Sequence, residues 1–192
     1  MKSFVIEDLK KSGEWESVGY ISAYGLAPHV NKLGNDIKGL EIGVASGWNM
    51  NFFLENIPQL NLTGIDPYLP FTDWNELTHT EDLLSSQYQA ALKNISKYQN
   101  RSRILRSKSE DIYNMFNDNY FDYIFVDGGH TYDAVLRDCI NYYPKLRSGG
   151  IFSGHDALLT DVMNAVKDFR LQENIPGDIW YVKDYVWFWI KG

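Results

Sequence analysis

The segment Glu41-Ile-Gly-Val-Ala-Ser-Gly-Trp-Asn49 decides the fold of this 192-residue chain. It overlaps the apolar stretch 37–42, which has the composition of a buried strand, and leads into a helix predicted over about 47–56. Gly43 and Gly47 permit positive φ and a close backbone approach that a larger residue would block. The amides at the start of the helix then face whatever binds above the strand. The segment therefore predicts a nucleotide pocket at the end of a β-strand.

A second segment predicts a carboxylate beside this turn. Asn61-Leu-Thr-Gly-Ile-Asp66 has the pattern of a short strand that ends in Asp66. Nucleoside-binding α/β proteins place an acid there because its two oxygens can accept both vicinal ribose hydroxyls. The alternative is a plain Asp-Pro turn that ends the strand. The glycine spacing differs from Gly-x-Gly-x-x-Gly, so a dinucleotide is the weaker interpretation, and Asp66 is predicted to bind a ribose.

Composition favours one compact enzyme domain over residues 1–192. The chain is 44% hydrophobic and 15% aromatic, which is enough to bury the core of an α/β protein. A net charge of −7 disfavours nucleic acid and anionic membranes and favours a small-molecule substrate. Cys139 is the single cysteine, which excludes an internal disulfide and suggests a cytoplasmic location. The amino terminus lacks a signal-peptide pattern, and no apolar run approaches the ~20 residues of a membrane span.

Strand and helix patterns alternate along most of the chain. Strands are predicted at 37–42, 61–66, 103–106, 123–126 and 150–153, and helices at about 47–56, 82–98, 132–143 and 161–173. Asp161 is placed to cap the last helix. The helix near 132 carries an apolar stripe of Tyr132, Val135, Leu136, Cys139, Ile140 and Tyr143.

The carboxyl-terminal pattern changes to aromatic and β-branched residues. Residues 178–182 and 185–190 predict an antiparallel hairpin, in which Trp180, Trp187 and Trp189 are expected to pack. The predicted fold is therefore α/β: a Rossmann-like three-layer sandwich with a mostly parallel seven-stranded sheet and an antiparallel C-terminal hairpin. The core spans 37–190, and residues 1–36 form an N-terminal helical or lid segment.

Two further motifs predict ionisable side chains at the same sheet edge. Val126-Asp127-Gly-Gly-His130 follows one buried strand, and Ser153-Gly-His155-Asp156 follows the next. A histidine with a near-neutral pKa is a natural proton acceptor for an alcohol or phenol, so His130 is a candidate base beside Asp127. The alternatives are that His130 caps the following helix and that His155 only packs or hydrogen-bonds.

The joint order of these motifs resembles methyltransferase family 24, in the small-molecule O-methyltransferase branch of the class I S-adenosylmethionine-dependent methyltransferases. The resemblance covers about residues 37–190. It implies transfer of a methyl group from S-adenosylmethionine to a hydroxyl on a small molecule, such as a sugar, a polyketide-like compound or a phenol. It implies a cofactor site of Glu41, Gly43, Gly47, Asn49, Asp66, Ser109, Glu110 and Asp127.

The resemblance also assigns parts of the cofactor to these residues. Glu41, Gly43 and Asn49 would surround the methionine portion. Ser109 and Glu110 would lie at the adenine edge.

Catechol-type relatives use a lysine base three residues after the aspartate, where this chain has His130. They hold magnesium between that aspartate and an acidic pair, where this chain has His155-Asp156. The resemblance thus suggests Asp127, His155 and Asp156 as ligands of a divalent ion, with manganese or another transition ion fitting the imidazole better than magnesium.

Two other functions remain open from the sequence. A nicotinamide-dependent oxidoreductase would share the strand-turn-helix and Asp66, but it should carry a third glycine. A non-catalytic S-adenosylmethionine-fold binding protein would lack the ionisable cluster at the sheet edge. Aromatic side chains in 1–36 and 67–82 could wall the pocket, and a homodimer is one open assembly state.

Overall fold

A computed structural model describes residues 24–72, 78–183 and 185–192. Its main sheet contains β1 (Ile37–Ile42), β2 (Leu60–Ile65), β5 (Ser102–Leu105), β6 (Phe121–Val126), β7 (Leu146–Gly154), β8 (Trp180–Val182) and β9 (Val186–Ile190). The strand order is β5-β2-β1-β6-β7-β9-β8. The first five strands in this order, β5, β2, β1, β6 and β7, are parallel to one another, whereas β9 is antiparallel to both of its neighbours. The predicted mostly parallel seven-stranded sheet with an antiparallel end is confirmed.

Helices cover both faces of this sheet. They are α1 (Ala27–Val30), α2 (Trp48–Asn56), α3 (Glu81–Ile95), α4 (Ser109–Ile112), α5 (Tyr132–Tyr142) and α6 (Thr160–Gln172). One apolar cluster joins the sheet to α1, α2 and α3, and a second joins it to α5 and α6. The three-layer prediction is therefore also confirmed. Strands β3 (Phe71–Thr72) and β4 (Thr78–His79) pair separately from the main sheet.

The position of β1 in the sheet determines where a ligand can bind. From β1 the chain moves outward to β2 and β5, and it then returns to β6 on the other side of β1. The strand order therefore reverses between β1 and β6. In open α/β sheets, a crevice for ligands forms at this switch point, outside the carboxyl ends of the strands.

Three local predictions are wrong. The N-cap of α6 is Leu159, and Asp161 lies in the first turn because the helix begins at Thr160. Strand β7 begins at Leu146 because a register shift against β6 lets it continue past the glycine pair at 149–150. Trp180 is 61% exposed on the last strand of the sheet, whereas Trp187 and Trp189 are buried as predicted.

The two predicted lid segments fall partly outside the described residues. Trp15 and Tyr20 precede residue 24, and Trp74 lies in the gap at 73–77. The described part of the first segment packs on the sheet, where His29 contacts the ring of Phe188. Among the described helices, none is both long and apolar enough to cross a membrane.

Candidate active site

The glycine turn after β1 brings two strand ends together at the switch point. Gly43 has a φ of +87°, and a Cβ there would lie 1.9 Å from the carbonyl oxygen of Asp127. Gly47 has a φ of +72° and forms the N-cap of α2. Both glycines are thus required by the backbone, as the sequence predicts. At Gly43, however, the group that the structure places close to the glycine is the protein backbone after β6.

Asp66 holds the glycine turn through its backbone. Its Oδ2 accepts hydrogen bonds from the amides of Val44 and Ala45, each at 3.0 Å, and its Oδ1 accepts one from Tyr68 at 2.8 Å. The Tyr68 hydroxyl donates to the carbonyl of Ala45 at 2.9 Å and closes this network. A carboxylate has about four lone-pair sites, so roughly one acceptor position remains, on Oδ1.

Glu41 and Asn49 form a buried pair beneath the turn. The amide of Asn49 donates to Glu41 Oε2 at 2.9 Å, and both side chains are almost inaccessible. Burial raises the pKa of Glu41 well above its ordinary value, the hydrogen bond from Asn49 opposes that rise, and the charges of Asp127 and Asp66 add to it. The raised pKa favours the neutral form of Glu41, so the negative charge at the ends of β2 and β6 comes from Asp66 and Asp127 and favours a cationic ligand.

The predicted adenine-edge residues lie at the start of α4, after β5. Ser109 Oγ donates to Asp138 Oδ1 at 2.6 Å, and Tyr142 donates to the Ser109 carbonyl at 2.8 Å. Glu110 pairs with Arg137 at 2.8 Å. Ser109 and Glu110 are thus both fixed by side chains of α5.

Asp138 is a residue that the sequence analysis missed. It is buried, and burial raises its pKa to about 6, against the hydrogen bond from Ser109 and the charge of Arg137. The buried stripe of α5 contains Val135, Asp138, Cys139 and Tyr142, while the predicted stripe member Ile140 is exposed. Positions 135, 138, 139 and 142 follow helical spacing, so an acid on that stripe was the signal available.

The two histidine–aspartate motifs converge beyond β6 and β7. His130 Nε2 lies 3.0 Å from Asp156 Oδ2, and His155 Nδ1 lies 3.2 Å from Asp156 Oδ1 and 3.5 Å from Asp127 Oδ1. Burial favours the neutral form of Asp156, but hydrogen bonds and charge from the two histidines outweigh it and hold its pKa below the ordinary value. Asp156 therefore stands as an anion between two imidazole rings.

The backbone fixes this cluster in place. The amide of His155 donates to the Val126 carbonyl at 3.1 Å, and the carbonyl of His155 accepts from the Trp187 indole at 2.9 Å. Asp156 has a φ of +60°, a left-handed conformation that aspartate tolerates better than most residues. The helix-cap alternative for His130 is wrong, because Thr131 is the N-cap of α5 and accepts from the Ala134 amide.

Asp127, His130 and Asp156 each offer a ligand atom, and these atoms all lie within 4.8 Å of one another. This set differs from the predicted one by having His130 in place of His155. Two carboxylates and an imidazole are donors suited to a divalent transition ion, so the residues fit such an ion. His155 remains adjacent through its contacts with both aspartates.

Residues 40–157 match the family model for methyltransferase family 24, described as a methyltransferase domain. The chain belongs to this family. An uncharacterised protein of Acanthamoeba polyphaga mimivirus is 27% identical over 118 residues, which are 60% of this chain and 49% of the viral protein. The chain thus spans about half the length of that relative.

Solved structures of low sequence identity share the fold of this family member. A Staphylococcus aureus protein described as a caffeoyl-CoA O-methyltransferase has a TM-score of 0.69 and 19% identity, over 99% of this chain and 93% of its own. The O-methyltransferase NovP has a TM-score of 0.63 and 15% identity, over 92% of this chain and 78% of its own. These likenesses extend over the sheet and both helical layers.

Proposed function

We propose that this chain is an S-adenosylmethionine-dependent methyltransferase that methylates a hydroxyl group on a small molecule. The observation that carries the proposal is the meeting of two sets of side chains at one switch point. The Asp66-bound glycine turn and the buried Glu41 lie after β2 and in β1, and the His130–Asp156 pair lies beyond β6 and β7. Membership of family 24 gives this arrangement its chemical context.

The charge at the turn supports this cofactor over a nicotinamide dinucleotide. S-adenosylmethionine supplies an electrophilic methyl group on a cationic sulfonium. Asp66 and Asp127 place negative charge at this point, which attracts a cation and repels a pyrophosphate. In the proposed site, Glu41 and Asn49 border the methionine portion, Asp66 accepts from the ribose, and Ser109 and Glu110 border the adenine.

His130 is the proposed base. Asp156 accepts from Nε2, which orients the ring and stabilises the imidazolium form. His155 contacts both Asp127 and Asp156 and so links the two carboxylates beside this base. Positioning of the hydroxyl supplies much of the rate, and removal of its proton assists the transfer.

A divalent ion is the alternative means of activating the hydroxyl. Asp127, His130 and Asp156 would hold it, and the ion would lower the pKa of a bound hydroxyl. His130 cannot serve as a ligand through a nitrogen and as a base through the same nitrogen. The two roles therefore predict different responses to chelation.

Binding and turnover test the proposal in two steps. Calorimetry with the purified chain is expected to give low- to mid-micromolar affinity for S-adenosylhomocysteine, equivalent to roughly 7–8 kcal/mol. Tighter binding of NAD would overturn the cofactor assignment. Transfer of labelled methyl groups to hydroxylated acceptors then tests catalysis, beginning with caffeoyl derivatives because of the Staphylococcus aureus neighbour.

A non-catalytic binding protein is the second candidate in this experiment. It would bind S-adenosylhomocysteine with the same affinity and transfer no methyl group to any acceptor. The ionisable cluster argues against it, because a binding role gives no reason to place an anion between two imidazoles.

A further inference from the structure

A cleft of about 670 Å³ is lined by the residues that follow the ionisable cluster in the chain. Its floor begins at Ala157, the residue after Asp156, and the amide of Leu159 donates to the Asp156 carbonyl at 2.9 Å. Its volume lies within the range of small-molecule sites. The cleft therefore begins at the chain segment that directly follows the ionisable cluster.

Helix α6 forms one wall of the cleft with a single face. Thr160, Met163, Asn164 and Lys167 line it, and they recur at the three- and four-residue steps of one helical face. The opposite face of α6 carries Val162, Ala165, Val166 and Phe169 into the core. This wall of the cleft is thus held in place by the core packing on the opposite face of α6.

The turn between β8 and β9 forms the other wall. Tyr181 and Tyr185 line it and are each 56% exposed, and Lys183 lies between them. The amide of Ala157 donates to the Tyr185 carbonyl at 2.9 Å, which ties this turn to the floor. Two tyrosine side chains on one wall offer flat, amphipathic surfaces for a planar or apolar body.

The cleft is locally cationic on an acidic protein. Lys167 and Lys183 both line it, whereas its described lining residues include no aspartate or glutamate. The described residues supply no ion pair or hydrogen bond to either ammonium group. The two lysines therefore favour an anionic ligand in this cleft; Asp184, which follows Lys183 in the sequence, lies outside the described residues.

We propose that this cleft binds an anionic tail of the methyl acceptor, a carboxylate or a phosphate, between Lys167 and Lys183. The body of the acceptor lies along Tyr181 and Tyr185, and its hydroxyl reaches Asp127, His130 and Asp156. The placement of the hydroxyl rests on the proposed methyl-transfer function, whereas the binding of the anion does not.

The helix gives a length for this acceptor. Lys167 lies seven positions after Thr160, which corresponds to roughly 10 Å along the axis of α6. Helical side chains lean toward the amino terminus, so the ammonium lies closer to the cluster than its Cα atom does. An extended acceptor, whose anion lies on the order of 10 Å or more from its hydroxyl, therefore fits better than a short one.

Calorimetry with catechol-terminated alkanoates of increasing chain length tests the proposal, with and without saturating S-adenosylhomocysteine. Their methyl esters serve as neutral partners, and catechol-terminated alkyl phosphates distinguish phosphate from carboxylate. The best anion is expected to bind about tenfold more tightly than its neutral partner, because a hydrogen-bonded charge pair is gained. This advantage should shrink as salt is added.

Lys167→Ala and Lys183→Ala should each reduce the anion advantage, and the double variant should abolish it. The matched control is Lys93→Ala, an exposed lysine on α3 across the sheet, which should retain the full advantage. Equal affinity for anion and ester, an advantage that survives in the double variant, or no binding by any probe would overturn the proposal.

The same measurements separate this proposal from the proposed function. If anions bind through the lysines but no methyl group is transferred, the anion site stands and the methyl-transfer function fails. If methyl transfer proceeds equally on acids and esters of every length, the function stands and the anion site is refuted.

Discussion

The cofactor half and the acceptor half of the candidate site are held by different kinds of contact. In the cofactor half, Asp66 binds backbone amides of the glycine turn, and Glu41 is buried against Asn49. In the acceptor half, His130, His155 and Asp156 contact one another through partly exposed side chains. The first half is held by hydrogen bonds to backbone amides and by burial, and the second by contacts between ionisable side chains, so substitutions should affect them differently.

The largest expected effect is in the acceptor half. His130→Ala should lower kcat about 10²–10⁴-fold while leaving S-adenosylhomocysteine affinity nearly unchanged, because a base acts on the transition state. Melting temperature, cofactor affinity and kcat should be measured on the same preparation.

The neighbouring Thr131→Ala variant is the matched control for this loss. Thr131 caps α5, so its removal should cost about 1 kcal/mol of stability and leave kcat unchanged in the folded protein. A His130→Ala protein with normal kcat would refute the assignment of the base.

The next largest effect concerns Asp138, which accepts a hydrogen bond from Ser109 in the cofactor half. Its pKa of about 6 is raised above the unfolded value near 3.8, so the folded state holds a proton that the unfolded chain loses first. The contribution of Asp138 to stability is therefore present below about pH 4 and lost as the pH rises to about 6. Over this window, wild type should lose up to about 3 kcal/mol relative to Asp138→Asn.

Urea unfolding of both proteins across this pH range measures the difference. The gap in unfolding free energy should change in favour of Asp138→Asn as the pH rises, and it should be constant above the window. A gap that does not depend on pH would mean that Asp138 is ionised with an ordinary pKa.

A comparable or smaller effect is expected for the cofactor itself. Asp66→Ala should weaken S-adenosylhomocysteine binding by about 1.5–3 kcal/mol, corresponding to one charge-assisted hydrogen bond at the remaining acceptor position. Tyr68→Phe is the control, because it removes a brace of the same turn and retains the carboxylate. Equal losses in the two variants, measured by calorimetry, would assign Asp66 to the turn alone.

The smallest effect in this series distinguishes metals. If a divalent ion activates the hydroxyl, activity should fall on chelation and should be restored severalfold better by manganese than by magnesium, because an imidazole suits the softer ion. Ion-by-ion reconstitution after exhaustive EDTA treatment measures this. Full activity in the chelated enzyme would remove the metal from the mechanism and leave His130 as the base.

Much of the cofactor half could be predicted because its residues lie close together in the sequence. Gly43 and Asp66 follow adjacent strands within one strand-helix-strand unit, and a short motif is enough to place them at the same edge. The sequence does not show that Asp66 accepts hydrogen bonds from three backbone amides, since these bonds depend on the conformation of residues 44, 45 and 68.

The acceptor half could be predicted only in outline. The motifs located His130 and Asp156 at neighbouring strand ends, but not the 3.0 Å contact that joins them, because the left-handed turn at Asp156 sets that orientation. The cap alternative for His130 stays open from the sequence alone, since either the histidine or the following Thr131 could occupy that position. No sequence motif marks the cleft along α6, because the residues that line it alternate along the chain with residues of the core.

The close approach at Gly43 has a consequence for engineering. Since a single methyl group there would overlap the carbonyl oxygen of Asp127, neither strand end can be redesigned without the other. A chimera that exchanges acceptor preference between homologues should therefore keep both of these positions from the same parent and place its crossover beyond Gly128. Diversity for new acceptors can then be introduced along α6 and the hairpin turn, which line the cleft.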